Sequence, residues 1–438
     1  MGGQATGAAL EWRSGWSLVL AASLGFSFMS VMTTAMGAFI GPLTDEFGWS
    51  RTLVSAGLPI GGIASVLLSP FIGVLIDRHG SRRLAIPGLA ALIAATCAFG
   101  LANGSAVQWI GLWIVYALVT LAVTVNVWTA AVAGAFTAGR GLALGLTLAG
   151  TAAAQAVTPV LATGLIGAFG WRAAYIWLGL GWGGAALLLC YLFFHDPRID
   201  ARATAAERHD QKLRAAALPG LSVAEAWRSS VLWRLAISTF ILMVLTIGLL
   251  IHQIPILTEA GISRENAAWL AGLGGLAGIA GKLVTGALID RFRANWVGGL
   301  TLGATALAFA LLVDGVRTPV LIVVAMVING YAAGTKLQIC GYLTSRYGGL
   351  RNFGTIFGAM GSLVALGSAI GPVLAGLVYD ATGGYTPFLV AGAVGCLICG
   401  LLIVTLPPLP DWGTARTTTA PTPPAGAASG RPPPAPSA

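Results

Sequence analysis

Two lysines stand where a charge is hardest to keep. Lys282 and Lys336 lie inside long apolar runs at 266–289 and 319–345, while none of the 15 acidic residues falls in the middle of any such run. If these runs are helices crossing a bilayer, Lys282 precedes Asp290 by about 12 Å of rise and Lys336 precedes Arg346 by about 15 Å, near the middle of a core about 30 Å thick. An unpaired ammonium there costs at least about 3 kcal/mol on insertion scales, and no membrane-buried carboxylate is available to offset it. The chemistry this suggests is binding of an anion. The plain alternative is that Lys282 extends towards the interface or partners Asp290, and that Lys336 bonds carbonyls near Gly334. His252, the one histidine within a run, is a candidate proton site weighed against a packing role. No metal-ligand cluster, nucleophile elbow or buried carboxylate pair is spelled out in the chain, so we expect neither an enzyme nor a cofactor.

The elements that must hold these side chains follow from composition. The chain has 438 residues, 56% apolar and only 9% charged, with 61 glycines and a mean hydropathy of +0.84. Such a composition suits lipid rather than water. Runs of membrane-crossing length fall at 16–42, 53–76, 84–102, 107–133, 141–168, 174–194, 230–257, 266–289, 296–313, 319–345, 353–379 and 386–406, which predicts twelve helices. We read 1–15 as an N-terminal tail and 16–194 and 230–407 as six-helix bundles. Between them, 195–229 reads as a linker with a surface helix over Ser222–Trp227, and 408–438 as a disordered Pro-rich tail. With both termini in the cytoplasm, the inner segments hold 18 Lys and Arg residues and the outer loops four, namely Arg51, Arg172, Arg264 and Arg317, as the positive-inside rule requires. This accounts for most of the net charge of +9 without a nucleic-acid partner, for which no soluble basic face exists. The five cysteines, at 97, 190, 340, 396 and 399, all lie in apolar runs and read as small packing residues.

The chain also repeats itself. Gly73-Val74-Leu75-Ile76-Asp77-Arg78 returns as Gly286-Ala287-Leu288-Ile289-Asp290-Arg291, and the same shift of 213 positions carries Pro159-Val160-Leu161-Ala162 onto Pro372-Val373-Leu374-Ala375 and Gly145 onto Gly358. Two homologous halves of membrane composition suggest a transporter that rocks one half against the other. Gly73, Asp77, Arg78 and Arg82, with the copy Gly286, Asp290 and Arg291, would form a conformational latch where helices meet the cytoplasm: glycine for close contact, aspartate for a helix N-terminus or an arginine, arginines for the lipid surface.

The motif, its copy and the six-plus-six count resemble the major facilitator superfamily over residues 16–407. Phe47-Gly48-Trp49-Ser50-Arg51, Phe169-Gly170-Trp171-Arg172, the segment Pro255–Ser263 and the segment Ser345–Gly354 are similar, in order and in side of the membrane, to the bacterial monocarboxylate transporter and oxalate/formate antiporter branch. The resemblance implies an all-α fold of twelve transmembrane helices in two pseudo-symmetric six-helix bundles. It also implies that a cation of the eighth helix, here Lys282, binds carboxylate, and that the fourth and tenth helices face a central cavity. Tyr116, Asn126 and Asn329 on those helices are therefore the first candidates to complete the pocket, ahead of Thr33, Gln155 and Tyr331. Where related bacterial members carry acids in the tenth helix, this chain has Gly334-Thr335-Lys336-Leu337-Gln338, which favours an anionic substrate.

The combined expectation is a monomeric secondary transporter of small organic anions, monocarboxylates first, in a bacterial inner membrane. It would work by alternating access, as a proton symporter or an anion exchanger. Its partners would be the anion, the bilayer and, for symport, a proton. A drug efflux pump of the same superfamily is the alternative if the lysines face headgroups, and a transporter-like receptor is a further one.

Overall fold

The computed structural model describes residues 2–64, 68, 75, 79–136, 140–195, 220–349 and 351–410. In chain order its helices are α1 Gly2–Phe47, α2 Arg51–Ser55, α3 Arg82–Ala98, α4 Ala106–Thr120, α5 Val125–Ala135, α6 Arg140–Trp177, α7 Gly184–Phe193, α8 Val223–Arg228, α9 Ser230–Glu259, α10 Arg264–Arg291, α11 Ala294–Gly303, α12 Thr305–Leu311, α13 Pro319–Gly348, α14 Phe353–Thr382 and α15 Thr386–Val404. Ten helical segments among the described residues are long and apolar enough to cross a membrane, against twelve runs in the sequence. Leu142–Phe193 carries the fifth and sixth runs as one segment of 52 residues, broken within by Gly170 at φ +78°, a conformation that only glycine adopts cheaply. The second run is described only in part, over 53–64 and at 68 and 75. Helix α1 begins well before its apolar run at residue 16, in keeping with the helix-forming Gln4, Ala5, Ala8, Ala9, Leu10 and Glu11. The expected surface helix is α8, closed by a capping box between Ser222 and Glu225. The linker residues 196–219 and the tail residues 411–438 lie outside the described residues.

The buried apolar residues of both halves form one continuous cluster. In the first half, Phe99 packs on Trp109, Trp113, Tyr116 and Tyr175, and Tyr175 stacks on Phe39 at 3.9 Å. In the second, backbones approach where glycines face each other. A β-carbon on Gly330 would lie 2.1 Å from the Gly274 carbonyl oxygen, and one on Gly334 2.0 Å from that of Gly278. Helices α10 and α13 therefore touch main chain to main chain, the close packing that small residues allow in lipid. This contact fixes the rotation of α10 about its axis. Arg82, at the start of α3, donates to the carbonyls of Tyr191 (2.8 Å) and Phe194 (2.6 Å). It caps the C-terminal end of α7, where a cation is favoured.

Candidate functional site

The contacts that join the two halves cluster at one end of the bundle, where α1 and α9 finish and α2 and α10 begin. Arg51 is their centre. Its guanidinium pairs with Glu259 (Nη2 to Oε1, 2.8 Å) and donates to the Tyr385 hydroxyl (2.7 Å), and its Cζ lies 3.6 Å from the Tyr379 ring centroid. Asp380, at the far end of α14, accepts from the backbone nitrogens of Arg51 (3.2 Å) and Thr52 (3.0 Å) and from the Thr52 hydroxyl. A carboxylate on the open N–H groups of a first helical turn is the favourable sign of charge for that end.

His252 continues this network inward. Its Nε2 lies 2.9 Å from the Pro372 carbonyl and 3.3 Å from Ser55 Oγ, and its Nδ1 lies 2.6 Å from the Tyr385 hydroxyl. A carbonyl only accepts, so Nε2 carries the proton and Nδ1 accepts from Tyr385. Tyr385 in turn accepts from Arg51, and the chain is satisfied with a neutral imidazole. Burial pushes the Tyr385 phenol up, against the pull of Arg51, which keeps it a hydroxyl.

Three helix pairs carry the closure deeper. A β-carbon would meet Ile251 O at 2.6 Å from Gly37, Ala369 Cβ at 2.8 Å from Gly62, and Ala156 N at 2.5 Å from Gly275. Gly37 lies ten residues before the end of α1 at Phe47, Gly275 eleven after the start of α10 at Arg264, and Gly62 eleven beyond Arg51. The seal is thus about 16 Å deep, roughly half a bilayer core.

Lys282 lies just beyond this seal. It follows Gly275 by seven residues, two turns on the same face of α10 and about 10 Å further along. Gly272 and Gly275 above it pack on α6, while Gly278 and Gly281 beside it pack on α13, where a β-carbon on Gly281 would lie 2.5 Å from the Tyr331 carbonyl oxygen. Lys282 is half-buried and makes no hydrogen bond or ion pair among the described residues. Lys336 has a different setting. It is buried, donates to Thr246 Oγ1 on α9, and borders a cavity of about 10 Å³ lined also by Leu235, Thr239, Cys340 and Ile403. That space holds one water at most, and it lies within the second half.

The neutral candidates also divide. Asn329 is 3% exposed and its Oδ1 has no hydrogen-bond partner among the described residues, which marks it as an acceptor in need of a donor. Tyr116 is buried in the aromatic core of the first half beside Phe99 and Trp113. Tyr331 is tied to Thr285 at 2.9 Å, and Gln155 and Thr33 are half-buried. Gly73, Asp77, Arg78 and the side chains of Asn126 and Asp290 lie outside the described residues. Gly286 faces the Gln338 amide, and Arg291 is exposed.

Sequence reasoning placed Arg51 only as an outer cation, and it did not single out Glu259, Tyr379, Asp380 or Tyr385. Their signal was available in part, since Arg51 and Glu259 both fall in the segments that carried the branch resemblance. At the same end, Arg172 pairs with Glu46 at 2.6 Å and Arg317 pairs with Asp314. Arg264 makes no ion pair among the described residues; it lies over Gly41 and borders a crevice of about 480 Å³ between α6 and α10.

The model of the Major Facilitator Superfamily matches residues 20–263 and 245–434. A protein of Cupriavidus necator named as a probable sulfoacetate transporter is 27% identical over 402 residues, spanning 85% of this chain and 81% of its own. Among solved structures, a D-xylose–proton symporter superposes with a TM-score of 0.71 at 13% identity, over 91% of this chain and 99% of its own. A bacterial homologue of the human lysosomal transporter Spinster, inward-facing and unoccupied, superposes with a TM-score of 0.68 at 17% identity, over 90% and 96%.

Proposed function

Because this chain belongs to the major facilitator superfamily, and is thus a multi-pass membrane transporter of the secondary type and not an enzyme, we propose that it carries small organic anions across a bacterial inner membrane. Lys282 is the observation that supports this reading. It is a half-buried cation on α10 that makes no hydrogen bond or ion pair among the described residues, so no described carboxylate holds it. A carboxylate or sulfonate would supply the missing charge. The monocarboxylate branch remains our choice for substrate class. The probable sulfoacetate transporter adds a second acid group to the candidates.

In this reading the halves 16–194 and 230–407 rock as units, the termini are cytoplasmic and the monomer suffices. The Arg51 end then faces outward, and the structure is the state sealed on the outside, with Lys282 below the seal. Lys336, held by Thr246, serves first to fix α13 against α9, and binds substrate only if the second half repacks. The latch around Asp77 and Asp290 would be joined in the opposite state. Transport is proton symport, with His252 as the candidate carrier, or anion exchange.

Uptake of labelled monocarboxylates, dicarboxylates and sulfoacetate into proteoliposomes, with and without an imposed proton gradient, tests the reading. Saturable uptake of at least one organic anion is expected. Transport of lipophilic cations in its place would overturn the proposal in favour of drug efflux. Specific binding without any flux would identify a receptor.

A further inference from the structure

The arginines at the sealed end differ in where their partners reside. Arg172 pairs with Glu46 inside the first half, and Arg317 with Asp314 inside the second. These pairs move as units when the halves separate. Arg51 belongs to the first half, whereas Glu259, Tyr379 and Tyr385 all belong to the second. Its backbone is held by the second half too, through Asp380. Opening this end therefore removes an ionic partner, a hydroxyl acceptor and an aromatic face from one guanidinium together. Glu259 keeps a neighbour, because its carbonyl accepts from Arg317 at 3.2 Å. Arg51 keeps none of the partners described above.

A guanidinium presents its donors in a planar fork that fits oxyanions bidentately, and it carries its charge at every physiological pH. We infer that Arg51 is the entry site for the transported anion: in the outward-open state it binds the substrate's carboxylate or sulfonate oxygens, and Glu259 displaces them as the end closes. This rests on the anion-transport reading and extends it. Arg51 in the closed state is 17% exposed in its side chain, so it is offered to solvent only when the end opens. It lies beside the start of α10, eighteen residues and about 27 Å above Lys282 along that helix, so the two cations form an outer and an inner station for one ligand. The competition has a direction. Substrate and Glu259 use the same donors, so the end reseals only as Glu259 takes the anion's place on Arg51 and the anion moves inward.

The test is flux of an anion that the wild type carries, measured in proteoliposomes with substrate supplied from either face. Arg51→Gln should raise KM at least about tenfold from the Arg51 face and leave KM from the opposite face within about twofold. Arg51→Lys should fall between. Glu259→Gln removes the competitor and should lower KM from the Arg51 face, while Arg317→Gln, which breaks a pair within one half, should change neither. An Arg51 that only locks the end gives the opposite sign. Losing a lock populates the open state and lowers KM from that face, so an unchanged or lowered KM for Arg51→Gln overturns the inference while the transport reading stands. A wild type that carries no organic anion overturns the reading itself and this inference with it. If Arg51→Gln fails to insert, Glu259→Gln decides: a raised KM from the Arg51 face refutes competition.

Discussion

Replacing Asp380 with Asn should shift the protein towards the state open at the Arg51 end. In the sealed state this carboxylate accepts three hydrogen bonds from the first residues of α2, two from backbone nitrogens and one from the Thr52 hydroxyl. Asparagine retains one oxygen to accept and loses the charge. A hydrogen bond to a charged group contributes about 1.5–3 kcal/mol in a sheltered site, but Asp380 is exposed, and screening reduces the net loss to roughly 1–2 kcal/mol. That loss falls on the sealed state alone, since α2 and α14 part when the halves separate. The open-to-sealed ratio should therefore rise by about 5- to 30-fold. Spin labels at Val107 and Val320, which are 83% and 71% exposed on opposite halves at this end, would report the populations by pulsed dipolar spectroscopy. Asp314→Asn, which loses a pair within one half, is the control and should leave the distance distribution unchanged. Unaltered populations in Asp380→Asn, or growth of the shorter distance, would refute the assignment of these contacts as the seal.

Lys282→Gln should abolish saturable anion transport and the thermal protection that a substrate gives the wild type, while Lys282→Arg keeps part of both; undiminished protection in the glutamine variant moves the anion site elsewhere. Lys336→Met should retain transport and match or exceed wild-type thermal stability, because an apolar side chain of similar length replaces a buried charge inside one half; loss of transport in a folded variant would make Lys336 a substrate ligand. His252→Gln should leave anion exchange intact and remove proton-driven accumulation if His252 carries the proton; accumulation at wild-type levels would limit it to bonding Tyr385 and Pro372.

The fold was legible because lipid imposes a strong rule on sequence. A helix must satisfy its own backbone and present apolar side chains for about 20 residues, so run length alone located the spans. The fifth and sixth runs parted in the sequence at Phe169-Gly170-Trp171-Arg172, and the structure breaks its long helix at the same glycine. The surface helix after Ser222 was expected from the composition of the polar linker, and the structure closes it with a capping box, which is local chemistry. The starting point of α1 was not, since it lies outside the apolar run and rests on the helix propensity of residues such as Gln4, Ala5 and Glu11.

The site divides along the same line between local and distant causes. Lys282 was visible as a charge without a partner in its own stretch of chain, and it remains unpaired among the described residues. Lys336 gave the same signal, but Thr246 lies 90 positions away on another helix, and only packing could show that its ammonium is turned into the second half. The cluster on Arg51 is more distant still, with Asp380 separated from it by 329 positions and Tyr385 by 334. A sequence records which charges lie at the ends of helices, but the partner of each depends on which ends meet. For a protein that works by exchanging one set of meetings for another, that information belongs to a state and not to the chain. Arg51 illustrates the consequence: its sequence context marks it as one outer cation of four, and its functional distinction comes from holding partners that the transport cycle must take away.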